Sequence, residues 1–227
     1  MRVVLTLLLL CSVSCTVLAQ ADYTDRRKIF IGITIGPSYP VGNFKSFKPN
    51  GRTVFAGPGV FSKEEIAPKS GARLNLINFG FRVSKYIGFA VKWYGAAHGV
   101  KSNSVAHLVE DNEADAGEYT YWSYGGILVG PLVTIPVNEK FEIDFRPLFG
   151  TCNIIQPEFE TKHRKAKLHA HESIAFSLGL TGQYNFADRF GLHSGLEFFS
   201  ANIYENEKVV DRITTLSPFI GLVYRFN

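Results

Sequence analysis

The chain closes on Thr214-Thr-Leu-Ser-Pro-Phe-Ile-Gly-Leu-Val-Tyr-Arg-Phe226, with Asn227 beyond. Leu216, Pro218, Ile220, Leu222, Tyr224 and Phe226 share one parity, and Thr215, Ser217, Phe219, Gly221, Val223 and Arg225 share the other. Period-2 alternation marks a strand with one greasy and one more polar side. A terminal strand left as a free edge invites aggregation unless it closes a sheet. The stretch is therefore read as the closing strand of a barrel.

Working outward, seven further runs alternate over about ten residues or more, the length that a tilted membrane strand needs. They cover Lys28 to Pro40, Ala72 to Val83, Ile87 to His98, Tyr119 to Ile135, Phe141 to Ile155, Glu172 to Asn185 and Phe190 to Ile203. With 214–226 these make an all-β chain, an eight-stranded antiparallel up-and-down transmembrane β-barrel. Hairpin-length turns with turn-forming residues join the second strand to the third (84–86), the fourth to the fifth (136–140) and the sixth to the seventh (186–189). Longer connections fill 41–71, 99–118, 156–171 and 204–213. This strict alternation of long and short is the rhythm of an outer-membrane barrel, with short periplasmic turns and long extracellular loops. The expected location is the bacterial outer membrane.

Parity also assigns faces. Phe141, Ile143, Phe145, Pro147 and Phe149 oppose Glu142, Asp144 and Arg146, and Ile174, Phe176, Leu178 and Leu180 oppose Ser177, Gly179, Thr181 and Gln183. The apolar set suits hydrocarbon, and the small and charged set suits a narrow interior. A soluble calyx of the lipocalin type would reverse the faces, but the loop rhythm and the aromatic terminus favour the membrane barrel. Aromatics near the short turns (Tyr86, Phe141, Tyr184, Phe190, Tyr224, Phe226) would form the periplasmic girdle, and Tyr119, Tyr121 and Trp122 the outer one. The fourth strand is the least clean, since both parities of 127–132 look apolar or small.

The 227 residues include 19 Phe, 10 Tyr and 21 Gly but one Met and two Trp, a β-rich composition, and a net charge of +4 gives no case for nucleic acid. Residues 1–19 read as a signal peptide: Arg2, the apolar core Val3 to Leu10, then small-residue cleavage near Ala19. That leaves 20–227 as the barrel, with Cys152 as its one cysteine and no intramolecular disulfide.

Gly221-Leu-Val-Tyr224-Arg-Phe226 resembles the C-terminal β-signal of outer-membrane proteins, which implies recognition of Gly221, Tyr224 and Phe226 by the barrel assembly machinery during biogenesis. Gly36-Pro-Ser-Tyr-Pro-Val-Gly-Asn-Phe44 resembles the opening of the small outer membrane protein β-barrel domain family of Bacteroidetes-type bacteria, which includes OmpA/OmpX-like and PorT-like barrels. That resemblance implies an eight-stranded barrel and no single biochemical activity.

Two constellations carry the functional reading. Arg82, Lys92, Glu142, Asp144, Arg146, His193, Glu197 and Arg225 fall on the inward parity, where buried charges must pair. They are read as an ion network plugging the lumen, ahead of a proton or ion path. The third long connection gathers Lys162, His163, Arg164, Lys165 and Lys167, a loop suited to anions such as lipopolysaccharide phosphates. His169 and His171 offer a weaker metal reading. An acidic run from Glu110 to Glu118 is read as a solvated loop beside the basic one. Phe44, Phe47, Phe55 and Phe61 imply that the first long loop folds over the barrel mouth or meets a partner.

The expectation is therefore a non-enzymatic barrel without cofactor or metal. Its loops contact outer-membrane lipid, lipopolysaccharide or an envelope protein partner. The alternatives are a lipid A-modifying enzyme, for which His98, His107 or His169 with Ser102 or Ser104 would be the candidates, and a narrow pore for small solutes.

Overall fold

The computed structural model describes residues 29–46, 67–100, 109–110, 113–114, 118–119, 121–157, 159–160, 165–166, 170–205 and 208–226. The expected signal peptide lies outside them. Eight long strands build the molecule: β1 (Ile29–Pro40), β2 (Pro68–Arg82), β3 (Ile87–Val100), β4 (Trp122–Pro136), β5 (Phe141–Ile155), β6 (Ala170–Tyr184), β7 (Phe190–Glu205) and β8 (Lys208–Phe226). They are hydrogen-bonded in chain order, and β8 closes on β1. Every pairing is antiparallel. The closing register runs from Ile29 opposite Phe226 to Ile35 opposite Ile220, so the terminal strand completes the cylinder as its pattern demands.

Side-chain direction follows parity. Ile31, Ile33, Ile35, Phe89, Trp93, Val129, Phe145, Phe149, Leu180, Leu196, Ile220 and Leu222 all lie exposed on the outer wall. An apolar belt of this extent on a closed barrel requires hydrocarbon around it, and closure pairs the strand edges that hydrocarbon could not satisfy. The belt and the architecture place the chain in the outer membrane.

The strands extend beyond the hydrocarbon-length runs. β2 begins at Pro68 and β7 pairs with β8 as far as Glu205 and Lys208, so the fourth long loop expected at 204–213 is instead a raised hairpin. Its pairing continues through a bulge between Ile203 and Tyr204, because above the membrane both faces can be wet and polarity no longer marks the strand. The second and third long connections meet in a three-stranded sheet, with Phe159–Glu160 between Glu118–Tyr119 and Lys165–Ala166. Trp122 corrects the expected outer girdle. Its indole is wholly buried and points into the lumen, whereas Tyr121 is 66% exposed. The parity of β4 explains this, since Trp122 shares its face with Tyr124 and Leu128.

A five-residue 3-10 helix, Gly42–Ser46, follows β1. Val41 N donates to Thr214 O at 2.9 Å, and Gly42 takes a φ of 58°, a left-handed conformation that glycine adopts without steric cost. The turn folds the chain back over the barrel mouth and buries Phe44 completely.

Candidate functional site

The lumen is built from two unlike halves. Near the short turns, β5 presents Glu142, Asp144 and Arg146 at alternate positions, all inward. Arg82, arriving from the end of β2, brings Nη2 to 2.5 Å from Glu142 Oε2 and 3.6 Å from Asp144 Oδ1. Arg146 Nη2 donates to Asp144 Oδ2 at 2.6 Å and its Nη1 to Asn78 Oδ1 at 2.9 Å. Thr134 Oγ1 donates to Asp144 Oδ1 at 2.7 Å. Glu197 on β7 forms a second centre. Its Oε1 accepts from Arg73 Nη2 at 2.6 Å and from the Ser177 hydroxyl in a short bond, and its Oε2 accepts from Lys92 Nζ at 2.5 Å.

Phe30 sits between these groups. Its ring lies 5.5 Å from the Arg82 guanidinium and 5.2 Å from that of Arg146, and meets His193 edge-on at 5.4 Å. Room for the ring comes from Gly80 on β2, where any Cβ would stand 2.2 Å from it. Arg73 likewise lies over Tyr94 at 4.7 Å and Phe199 at 5.2 Å. Four buried cations (Arg73, Arg82, Lys92, Arg146) face three buried carboxylates (Glu142, Asp144, Glu197) among the described residues. The negative faces of these rings meet the surplus positive charge.

The half toward the long loops is aromatic. His98, Tyr124 and Phe199 stack in parallel, with centroids 5.7 and 5.1 Å apart, and Tyr94 leans on Phe199 at 5.2 Å. His98 Nδ1 lies 3.0 Å from Lys69 O. A carbonyl only accepts, so Nδ1 donates and Nε2 accepts from the Tyr124 hydroxyl at 3.2 Å. Tyr124 Oη in turn accepts from Thr215 Oγ1 at 3.1 Å. Phe44 caps the column edge-on, 5.8 Å from His98 and 5.4 Å from Trp122. Cys152 is buried at this level.

Of the residues expected in the lumen network, the structure joins Arg82, Glu142, Asp144 and Arg146 in one cluster and Lys92 and Glu197 in another. His193 lies inside but bonds no carboxylate: its Nε2 donates to Gln183 Oε1 at 2.7 Å. Arg225, on inward parity one residue from the end of β8 and opposite Phe30, reaches the short-turn rim, where its Nη2 donates to Asp188 O at 2.9 Å. Arg73 escaped the sequence reading because a register shift between Asn75 and Ile77 puts Leu76 and Ile77 both outside. Arg73 and Arg82, of opposite parity, therefore face the same lumen. The signal was there: two consecutive apolar residues, Leu76-Ile77, between inward polar ones of opposite parity.

The assembly-signal residues Gly221, Tyr224 and Phe226 fall on the closing strand, with Gly221 packed so tightly on Ile33 O that a Cβ would stand 2.0 Å from it. Of the anion-loop residues, Lys162, His163, Arg164 and Lys167 lie outside the described residues, and only the backbone of Lys165 is described. Among the catalytic candidates, His98 is engaged as above, while His107, His169, Ser102 and Ser104 lie outside the described residues. His171 faces the β7 backbone, its Nε2 accepting from Tyr204 N at 3.3 Å, and His169 beside it is not described.

No protein-family model matches the chain, and no curated protein sequence matches it. Solved structures do resemble it. Neisserial surface protein A, NspA, aligns at 10% identity over 87% of this chain and 97% of its own, with a TM-score of 0.50. Ail, the attachment invasion locus protein of Yersinia pestis, aligns at 15% identity over 88% and 97%, with a TM-score of 0.45. The outer membrane protein OprG from Pseudomonas aeruginosa aligns at 12% identity over 89% and 97%, with a TM-score of 0.44. At such identities the likeness is one of fold, a small outer-membrane barrel.

Proposed function

We propose that this barrel is a non-conducting, non-enzymatic scaffold whose extracellular connections contact envelope components or a partner protein. One observation carries the reading: the lumen is filled across its width. Arg146 is 1% exposed, Glu197 and Leu128 0%, and Lys92 3%. Eight strands enclose only enough space for side chains, and here that space holds two paired charge clusters beneath an aromatic stack. A filled interior with paired charges is what a scaffold needs. A channel needs sites weak enough to leave, and the charges here grip one another instead.

Elements past the membrane fit display. The β7–β8 hairpin rises to Glu205 and Lys208, and the second and third connections are joined by strand pairing. The basic run from Lys162 to Lys167 gives that end a chemistry for lipopolysaccharide phosphates. The Gly36 to Phe44 segment supports membership of the Bacteroidetes-type barrel family, and Gly221, Tyr224 and Phe226 support recognition by the barrel assembly machinery.

The test is planar-bilayer recording of the folded protein together with crosslinked pull-down from native outer membranes. The expected result is no discrete conductance steps and recovery of a defined partner that is lost when residues 162–167 are replaced by Gly and Ser. Reproducible single-channel steps would refute the sealed scaffold. Altered lipid A masses in a deletion strain, restored by the gene, would replace it with an enzyme.

A further inference from the structure

We propose that the cylinder is built as two half-walls, β1–β4 and β5–β8, hinged at two opposite seams and clasped across the lumen by the ion pairs. Releasing the clasp opens those two seams before any other.

Proline marks both hinge lines. Between β4 and β5 the register runs from Val129 opposite Phe149 to Val133 opposite Phe145, and the ladder lapses between them. That register sets Pro131 level with Pro147. Between β1 and β8 the ladder lapses from Ile35 opposite Ile220 to Tyr39 opposite Leu216, and Pro37 stands level with Pro218. Proline has no N–H, so a rung with proline on both strands gives neither of its two bonds. In hydrocarbon no water replaces them. Facing each other, the prolines concentrate the loss on one seam; spread singly, they would weaken several. The interruptions in β1–β2, β2–β3 and the raised β7–β8 hairpin are of another kind, bulges that shift the register. The β3–β4, β5–β6 and β6–β7 ladders are continuous. A glycine precedes one proline of each pair, Gly36-Pro37 and Gly130-Pro131, and a Cβ there would strike Pro218 O or Pro147 O, so the strands stay in contact at both lapses.

The strand order sets these two seams diametrically opposite, with four strands in each half. The buried charges divide along the same line. Among the described residues, β1–β4 contribute Arg73, Arg82 and Lys92 and no buried carboxylate, while Glu142, Asp144 and Glu197 all stand on β5–β8. Arg73 and Lys92 reach Glu197 at 2.6 and 2.5 Å, and Arg82 reaches Glu142 at 2.5 Å, so each of these pairs crosses from one half to the other. Arg146 is a cation on β5 and pairs with Asp144 on its own strand, yet its Nη1 also donates across to Asn78 on β2 at 2.9 Å. Opposite charges on facing walls thus draw the halves together where the seams hold them least. The β4–β5 lapse is backed inside by Leu132 and Leu148, which offer no polar bond across it. At β1–β8 one hydroxyl bond crosses, from Ser217 Oγ to Ser38 Oγ at 3.0 Å.

The test is residue-resolved amide hydrogen exchange, read by NMR, on the folded barrel in lipid nanodiscs. By strand alternation the N–H groups of Val129, Val133, Phe145 and Phe149 face the β4–β5 seam. Those of Ile35, Tyr39, Leu216 and Ile220 face the β1–β8 seam. Leu178, Leu180, Leu196 and Phe198 face the continuous β6–β7 ladder and serve as the control. Glu197→Gln releases two clasps and should speed exchange at both proline seams by about tenfold relative to the control. Pro131→Val with Pro147→Val restores both donors above an untouched lumen and should slow the β4–β5 amides by about tenfold, leaving β1–β8 unchanged. Uniform acceleration in Glu197→Gln, acceleration led by β6–β7, or no protection gained by the restored rung would overturn the proposal. The valine pair breaks no ion pair, so it decides the matter even where Glu197→Gln fails to fold.

Discussion

Glu197→Gln is the substitution that the lumen should tolerate least. The carboxylate accepts from Arg73 and Ser177 on one oxygen and from Lys92 on the other, with N–O distances of 2.6 and 2.5 Å to the two cations. Glutamine keeps the shape but replaces one acceptor oxygen with an NH2 donor aimed at a cation. The described lumen would pass from four cations against three carboxylates to four against two. Breaking a buried pair by neutralising one partner is worth about 3–5 kcal/mol. A protein of this size loses about 2–4 °C per kcal/mol, so the loss of cold-gel folded mobility on heating should move down by about 6–20 °C. Adding Lys92→Met removes the cation that Gln cannot satisfy and should recover a substantial part of the loss, since neighbours in one network are not additive. High salt should leave the difference intact, because these side chains are out of reach of screening ions. An unchanged midpoint in Glu197→Gln, measured by heat-modified mobility and confirmed by urea unfolding in lipid vesicles, would refute the ion-plug reasoning.

Two further substitutions probe the other halves of the interior. Gly80→Ala puts a methyl where only 2.2 Å separates the Cβ position from the Phe30 ring, and should destabilise by about 1–3 kcal/mol in urea unfolding; Phe30→Leu in the same chain should rescue part of this, and strictly additive losses would count against the fit. Phe44→Ala uncovers Trp122 and should raise acrylamide quenching of the tryptophan pool, Trp93 remaining in lipid as the reference. The planar-bilayer trace should stay flat because the charge clusters beneath are untouched, and unchanged quenching would show that Phe44 is not the cover.

The barrel was legible in the sequence because its outer wall obeys one rule, apolar residues at every second position facing lipid. The interior obeys no single rule. On β4, Leu128 and Leu132 point inward and are as apolar as their outward neighbours, so direction alternates while polarity does not. That is why 127–132 read ambiguously. Trp122 misled for the same reason, since an aromatic near a strand end suits a girdle and an aromatic stack equally well. Arg73 was hidden by a bulge, which changes parity without changing composition. Parity also carries no information on height along the barrel axis, so it did not show that Arg225 reaches the short-turn rim. Phe44 was legible only as an aromatic in a long connection; its seat depends on the turn at Gly42 and on rings contributed by two distant strands.

The knob made by Phe30 and the hole left at Gly80 bear on how the cylinder finds its alignment as it is sewn shut. A slip of one residue between β1 and β2 turns every side chain to the wrong side and is rejected by the lipid. A slip of two keeps all faces correct, and polarity cannot detect it. It would set Gly32 against Gly80 and drive the benzyl group of Phe30 toward Arg82, leaving a void at one level and a collision at the next. Shape at a single position thus proofreads the error to which the alternating pattern is blind, at the seam where the first strand meets the rest of the wall.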